Sequence, residues 1–438
     1  MRSVLTAGLL GAASALVIAS SPLAAQDVAI TNATIAIGDG TEPVENGTVV
    51  IRAGTVVAAG AGVAAPADVP TMDAGGAWVT PGLFATVSTL GIWDVSAVSE
   101  SNDQRASGSP FSAALDTAAI VNPNSQHILI GRSAGVTRAA TATLPSASIF
   151  SGQGAIIDLD GDTTPVMREK AFQMVVLGEA GGRIAGGSRA AAFALFHAAL
   201  REAAALGTGM PRTPEIAQDG EVMLSRFDAE ALRSVVSGEQ KLYVWVERAS
   251  DIRSVLSLRD EFANLDLVLV GASEGWMVAN EIAAAGVPVI ADSLDDLPSS
   301  FEQLAATQSN IGRMVDAGVK VAINSAGLNH SHRLSQYAGN LVALNKVPGA
   351  SGLTWGEAFA SISSVPAAIS GYEGRAGVLK PGALGDVVVW DGDPLEVTSV
   401  PTQVYIGGVK QSLDSHQSRL RDRYRDLDES ALPKAYDW

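Results

Sequence analysis

The sequence predicts an α/β fold in which a parallel sheet is flanked by two chain ends that together form a small β domain. Through the middle of the chain, strand-like and helix-like segments alternate, a pattern typical of βα units and a parallel sheet. Both ends instead carry short β-branched runs separated by Gly- and Asp-rich turns, at 28–58 and 385–409. We therefore expect the two ends to pair with each other.

The hydrophobic pattern places the elements of the middle part in order. Predicted strands lie at 136–141, 154–159, 242–246, 265–270, 287–290 and 319–324, and the fourth strand is placed at 172–176 with its position left open. Predicted helices lie at 124–135, 188–206, from 250 onward, 274–285, 302–316, 334–346 and 354–369. The stretch 99–109, rich in Ser, Asn and Gly, is predicted to be a long loop.

Composition excludes several classes of function. The chain has 438 residues, 46 acidic against 29 basic, and a net charge of -17. This balance argues against nucleic acid or an anionic membrane surface as the main partner. The absence of cysteine excludes disulfides, thiol chemistry and thiolate metal ligands.

The N-terminus has the pattern of a secretory signal peptide over residues 1–25. Arg2 precedes an apolar run at 4–18, and small residues end at Ala25, where we place the cleavage. A single membrane anchor is the less favoured alternative, because the apolar run is short for a span. We expect an exported, periplasmic protein with no membrane contact after cleavage.

Two stretches resemble one known family. The run V-T-P-G-L-F at 79–84 and the pattern G-V-L-K-P-G-A-L-G-D-V-V-V-W-D-G-D-P at 377–394 are similar to the opening strand and C-terminal segment of the amidohydrolase superfamily, with imidazolonepropionase-like members nearest. The resemblance implies a (β/α)8 TIM-like barrel with a small β-sandwich built from both chain ends. The implied domains are 26–78 and 376–413 for the sandwich and 79–375 for the barrel, with 414–438 as a charged, helical tail. The loop at 99–109 then lies near the barrel mouth.

The resemblance also implies zinc or another divalent metal at the barrel mouth, but the ligand positions are changed. The expected imidazole and carboxylate ligands correspond here to Val87, Thr89, Trp245, Gly271 and Ala326. None of these side chains can replace a lost imidazole or carboxylate ligand. We therefore predict no metal cofactor and impaired catalysis.

The tryptophan among these positions predicts what fills the former metal pocket. The indole of Trp245 is expected either to occupy the space beside Gly271 or to form the wall of a ligand pocket. Glu247, Arg248 and Asn324 are candidate polar groups of that pocket. A structural ion pair between Glu247 and Arg248 is an equally open interpretation.

Two further motifs can be interpreted either as binding sites or as surface loops without a binding role. His330, His332 and Arg333 follow the eighth predicted strand, so they are candidates for contact with an anionic ligand, although a solvated polar loop is the favoured interpretation. The glycine-rich run 178–187 lacks the ending of a phosphate-binding loop, and a flexible loop is favoured.

Two hypotheses of function follow. The first is a catalytically impaired barrel that binds a small molecule at its mouth, or supports a partner as a homo-oligomer or beside an active family member. The second is an active hydrolase of cyclic or linear amides with a mononuclear or metal-free site. Family resemblance implies hydrolysis of non-peptide C–N bonds in either case.

Overall fold

The computed structural model describes residues 25–207, 224–293, 295–324 and 331–425. Its strands are β1 Val28–Ile35, β2 Val44–Arg52, β3 Thr55–Ala61, β4 Thr71–Asp73, β5 Trp78–Pro81, β6 Leu83–Ser88, β7 Val136–Thr141, β8 Phe150–Asp158, β9 Val166–Val176, β10 Lys241–Val246, β11 Leu267–Gly271, β12 Val289–Asp292, β13 Val321–Asn324, β14 Val387–Trp390, β15 Pro401–Ile406 and β16 Val409–Lys410. They form two sheets, a nearly closed barrel and a separate sheet from both chain ends.

The helices mostly cover the outside of the barrel. They are α1 Gln126–Ser133, α2 Gly178–Ile184, α3 Arg189–Gly207, α4 Arg226–Ala231, α5 Arg233–Ser237, α6 Ala249–Leu256, α7 Leu258–Glu261, α8 Ala279–Ala285, α9 Asn310–Asp316, α10 Leu334–Leu344, α11 Trp355–Ala360, α12 Ser364–Ile369 and α13 His416–Tyr424 in the tail. Within the described ranges, no helix has the length and apolarity needed to cross a membrane.

The barrel has the strand order β6 to β13 around its wall, as the sequence predicts, with one reversal. The fourth strand is confirmed but is longer than predicted, at Val166–Val176. Strand β8 pairs antiparallel with both neighbours, whereas the other barrel strands run in one direction. The expectation of βα units throughout is therefore wrong here, because short hairpin connections rather than helices flank β8.

The barrel closes between its first and last strands through a short segment of chain. The backbone N–H of Phe84 in β6 donates to Ile362 O at 3.0 Å, and that of Ile323 in β13 donates to Ser361 O at 2.9 Å. The hydroxyl of Thr86 also donates directly to Ile323 O at 3.4 Å. This segment interrupts the single helix predicted at 354–369, which is observed as two helices, α11 and α12.

Strand alternation separates an inner from an outer apolar cluster. The inner cluster fills the barrel around a stacked pair, Phe172 and Tyr243, whose ring centroids lie 4.2 Å apart. Both rings are fully buried. Residues two positions farther along each strand point into the same interior at the carboxyl ends, where ligand sites of such barrels lie.

The end sheet joins the two chain ends in the order β16-β15-β14-β5-β1-β2-β3, with β4 paired to β1. Strand β14 pairs antiparallel with β5, from Val387 with Pro81 to Trp390 with Trp78. The predicted pairing of the two ends is therefore confirmed. It follows from β-branched runs whose apolar faces share one core.

A buried ion pair ties this sheet to the barrel. The guanidinium of Arg138 in β7 donates from Nε to Asp386 Oδ2 at 2.7 Å and from Nη2 to Asp386 Oδ1 at 2.9 Å. Asp386 also accepts from the backbone N–H of Gly407 at 2.8 Å. Both charged side chains are buried. Such a bidentate pair fixes the orientation of the two parts through geometry as well as charge.

Two local predictions differ from the structure, and a third agrees with it. The glycine-rich run predicted as a loop forms helix α2, Gly178–Ile184. The helix predicted at 302–316 is observed only at Asn310–Asp316, because the preceding residues form a long loop after β12. The tail is helical as predicted, over His416–Tyr424 of its described part.

Candidate ligand-binding site at the barrel mouth

A cavity of about 1100 Å³ lies above the carboxyl ends of β6, β9 and β10. Thr89, Val176 and Trp245 line it from the strand ends. The predicted loop at 99–109 contributes Gln104, whose Nε2 donates to Thr89 Oγ1 at 3.2 Å. The expectation that this loop lies at the barrel mouth is thus met.

Trp245 forms part of the cavity wall and is held by a buried carboxylate. Its indole is half-buried, packs against the inner cluster and lines the cavity. The indole Nε1 donates to Glu247 Oε1 at 2.7 Å. Because the ring position is fixed on both sides, Trp245 presents a preorganised aromatic surface to the cavity.

Glu247 is buried, and its hydrogen bonds all come from neutral donors. Besides the indole, Oε2 accepts from the Ser273 backbone N–H at 3.0 Å and from the Ser273 hydroxyl at 2.8 Å. Burial raises the pKa of the Glu247 carboxyl, although these donors oppose the shift. Arg248 is exposed at the N-cap position of α6, and the ion pair with Glu247 that the sequence left as one of two interpretations is not among the described contacts.

The backbone conformation and close packing at position 271 require glycine. Its φ is +84°, and a Cβ atom there would lie 2.2 Å from Glu247 Oε1. A β-carbon would therefore be strained by its backbone and would collide with the carboxylate. Of the two alternatives for Trp245, filling the space beside Gly271 is not what is seen on this side, because the Glu247 carboxylate lies against Gly271.

Val87 and Thr89 lie at an irregular end of β6. Val87 has φ +48°, a strained value for a β-branched residue, and the pairing register with β7 shifts between Ala85 and Ser88. Val87 is buried in the inner cluster, whereas Thr89 faces the cavity. The irregularity changes which side chain reaches the mouth, as bulges near binding sites commonly do.

Two aspartates that the sequence analysis missed extend the polar part of the mouth. Asp292 ends β12, and burial, with the nearby Asp295 and Glu247 charges, raises its pKa to about 8. Burial likewise raises the pKa of Asp295, whose Oδ2 lies 3.5 Å from the Ser273 hydroxyl. Asp292 could have been found, because it is the polar end of a buried apolar strand.

Glu302 was also missed by sequence reasoning. It lies in the loop after β12, lines the cavity, and accepts from the Glu179 backbone N–H at 2.6 Å. Burial raises the pKa of its carboxyl, with Glu247 and Glu179 adding to the shift. Its position depends on a contact between residues 123 apart in sequence, which no local pattern indicates.

The remaining predicted residues divide into three groups. Asn324 ends β13, is 2% exposed, and its Cα pairs in register with that of Asp292. His332 and Arg333 are exposed on a short 3-10 turn and do not line the cavity. Ala326 and His330 lie outside the described residues.

Four of the positions where the resemblance implies metal ligands carry side chains of other types. Val87, Thr89, Trp245 and Gly271 offer neither imidazole nor carboxylate. In the described part of the chain, no three His, Cys, Asp or Glu side chains are arranged to hold a metal ion. Divalent ions of this kind are held by imidazole, carboxylate or thiolate groups.

Comparisons with known proteins agree with this fold. A family model described as "Amidohydrolase family" matches residues 274–409. A curated relative, amidohydrolase tasK of Hapsidospora irregularis, is 27% identical over 198 residues, which cover 44% of this chain. The chain spans only 19% of the length of that relative.

Solved structures share the architecture at low sequence identity. An amidohydrolase from Thermotoga maritima MSB8 aligns with a TM-score of 0.75 and 21% identity over 87% of this chain and 99% of its own. A triazine hydrolase from Arthobacter aurescens, modified for expression, aligns with a TM-score of 0.53 and 15% identity, over 93% and 100% of the two chains. The comparisons thus show a chain whose fold is that of the aligned amidohydrolase structure and whose residues 274–409 resemble the amidohydrolase family model.

Proposed function

We propose that the protein binds a small molecule with an amide-like C–N bond in the barrel-mouth cavity, and that its hydrolysis of such bonds is impaired. The observation that carries the proposal is the cavity itself, which has a fixed aromatic wall at Trp245 and a buried carboxylate behind it. Mostly apolar cavities of this size with a few oriented polar groups are typical of small-molecule sites. The family model and the tasK relative support C–N hydrolysis as the ancestral reaction.

The impairment rests on the residues at the expected ligand positions. A superfamily hydrolase needs a metal-activated hydroxide as its nucleophile. Val87, Thr89, Trp245 and Gly271 supply no donor for such an ion. We infer that catalysis, and not binding, is the function weakened by these replacements.

The test combines binding with turnover on the same preparation. Untagged protein beginning at residue 26 is titrated calorimetrically with N-acetylated amino acids, hydantoin and dihydrouracil, and amine or acid release is followed with and without added zinc. We expect binding of at least one compound and no zinc-stimulated release. Stoichiometric metal retained after dialysis, measured by mass spectrometry, would contradict the proposal, and His330 and His332 would then be the first ligands to replace.

An active metal-free hydrolase is the second candidate, and the raised carboxyl pKa values favour it. Asp292, whose pKa is raised to about 8, is protonated at neutral pH and can donate a proton. In such a reaction, Asp295 takes a proton from a water molecule while the oxygen of that water attacks the amide carbon. Asp292 gives its proton to the leaving nitrogen as the C–N bond breaks. Turnover that is lost in both Asp292→Asn and Asp295→Asn would select this candidate.

Export and partnership are separate proposals. The apolar segment before Ala25 supports cleavage and release into the periplasm. Mass spectrometry of protein from a periplasmic fraction should give a mature chain beginning at Gln26. The barrel could also act beside an active family member or as a homo-oligomer, and size-exclusion chromatography with light scattering distinguishes these from a monomer.

A further inference from the structure

Two acceptor oxygens at the ends of adjacent barrel strands have no hydrogen-bond partner in the described structure. Asp292 Oδ1 and Asn324 Oδ1 are both buried and unpaired. Their residues end β12 and β13, and their Cα atoms are in register across the strand pair. Buried polar atoms are nearly always paired, so two neighbouring exceptions call for a ligand or water that donates to them.

Both side chains point toward the barrel interior. Ile290 and Ala322, two residues earlier on the same strands, belong to the inner apolar cluster. Strand alternation therefore directs Asp292 and Asn324 to the same side at the carboxyl ends. Asn324 is only 2% exposed, whereas Asp292 is partly exposed and leaves the pair reachable from the mouth.

The described surroundings of this pair are negative. Glu247 and Asp295 lie close enough for their charges to act on Asp292. Among the described residues, no lysine or arginine forms an ion pair with Glu247, Asp292 or Asp295. A cluster of carboxylates in a partly desolvated place is stabilised by a positive charge between them.

An aromatic ring is hydrogen-bonded to one carboxylate of this cluster. Trp245 packs against the same inner cluster and is joined to Glu247 by its indole N–H. The face of an indole attracts ammonium and guanidinium groups within about 6 Å of its centroid. Carboxylate, amide oxygen and aromatic face are together the groups that proteins use for organic cations.

We propose that the carboxyl ends of β12 and β13 form a recognition site for an organic cation, in which an ammonium or guanidinium group of a small molecule donates to Asp292 and Asn324. The cation offers several N–H donors, so one group satisfies both unpaired oxygens. Trp245 contacts the apolar part of the same molecule from the cavity side. A bare metal ion fits less well, because the described carboxylates do not converge on a single coordination point.

This inference rests on the proposed binding of a small molecule at the barrel mouth, and it specifies that the molecule is positively charged. The probes are benzylamine, which is cationic at pH 7, and benzyl alcohol, its neutral counterpart of similar shape. Each is titrated into untagged protein beginning at residue 26 by calorimetry at low salt. We expect benzylamine to bind at least about tenfold more tightly, the usual advantage of a charge-assisted hydrogen bond.

Isosteric variants assign the effect to the two residues. Asp292→Asn keeps the shape but cannot ionise when a cation binds beside it, and should reduce benzylamine affinity by about tenfold or more. Asn324→Asp adds a carboxylate beside it and should increase that affinity. Asp296→Asn, an exposed aspartate of the same loop, is the matched control and should leave affinity unchanged.

The outcomes separate this inference from the broader proposal. Equal affinity for benzylamine and benzyl alcohol overturns the cation site while leaving small-molecule binding intact. Benzylamine affinity that is the same in Asp292→Asn and wild type also overturns it, because the cation then binds elsewhere. If the amides of the earlier panel bind and neither benzyl probe does, the cation site fails alone.

Discussion

Replacement of Trp245 by alanine decides whether the indole is a cavity wall or part of the packed core. Truncating a fully buried tryptophan costs about 3 to 5 kcal/mol in the free energy of unfolding. Because Trp245 is half-buried, with one side against the inner cluster and the other toward the cavity, we expect about 2 kcal/mol. Ligand affinity should fall by about tenfold at the same time.

Trp390 provides a matched control within the same chain. It is 2% exposed, and its indole Nε1 donates to Thr80 Oγ1 at 2.9 Å. Trp390→Ala and Trp245→Ala each lose one indole hydrogen bond, so the difference between them reports burial. Trp390→Ala should cost about 3 to 5 kcal/mol and leave ligand affinity unchanged.

The measurement is urea unfolding followed by far-UV circular dichroism, with calorimetric titration of the best ligand from the panel. If Trp390→Ala does not fold, Trp390→Phe and Trp245→Phe repeat the comparison with smaller losses. The reasoning is refuted if Trp245→Ala costs as much as Trp390→Ala and binding is unaffected, since the indole is then core and the cavity lies elsewhere.

Three further predictions concern stability. Gly271→Ala places a β-carbon against the Glu247 carboxylate and should lower the free energy of unfolding in urea by about 1 to 3 kcal/mol. Gly286→Ala is the control, because φ is also positive there but no atom lies within 4 Å, and it should cost less. Equal costs would contradict the close approach at Gly271. Because the pKa of Asp292 is raised to about 8, the unfolding free energy of the wild type should fall as pH rises from about 4 to about 8. Asp292→Asn should make the unfolding free energy depend less on pH over this range. An unchanged pH dependence would be contrary evidence. Asp386→Ala removes the bidentate partner of the buried Arg138 guanidinium, which keeps a contact of 3.4 Å with Asp158 Oδ2. The variant should lower the unfolding free energy by about 3 kcal/mol, whereas a cost below about 1 kcal/mol would argue against a buried pair.

Local sequence patterns were sufficient for most barrel strands. The runs predicted at 136–141 and 242–246 are observed as Val136–Thr141 and Lys241–Val246, because continuous apolar and β-branched residues specify buried strands wherever they occur. Strand direction was not predictable in the same way. Strand β8 is apolar like its neighbours, and only the short Asp- and Gly-rich turn after it indicated a hairpin.

The candidate site was predictable only in part. Trp245 and Glu247 were identified because both lie near the end of one predicted strand. Asp295 and Glu302 were missed, because their place depends on how the loop after β12 folds back over the mouth. The close approach of Glu247 to Gly271 joins two strands and needs their register, which a single strand pattern does not contain.

The pairing of β5 with β14 has a consequence for how the chain folds during synthesis. Thr80 and Trp390, which meet in this pairing, are 310 residues apart, so the end sheet stays incomplete until nearly the whole chain has left the ribosome. Until then β5 has one unpaired edge, and an open strand edge invites pairing with other chains. Contacts this distant in sequence also form slowly, because a long loop must close first. Truncation before β14 should therefore yield a chain whose N-terminal strands aggregate, even where the barrel sequence is intact.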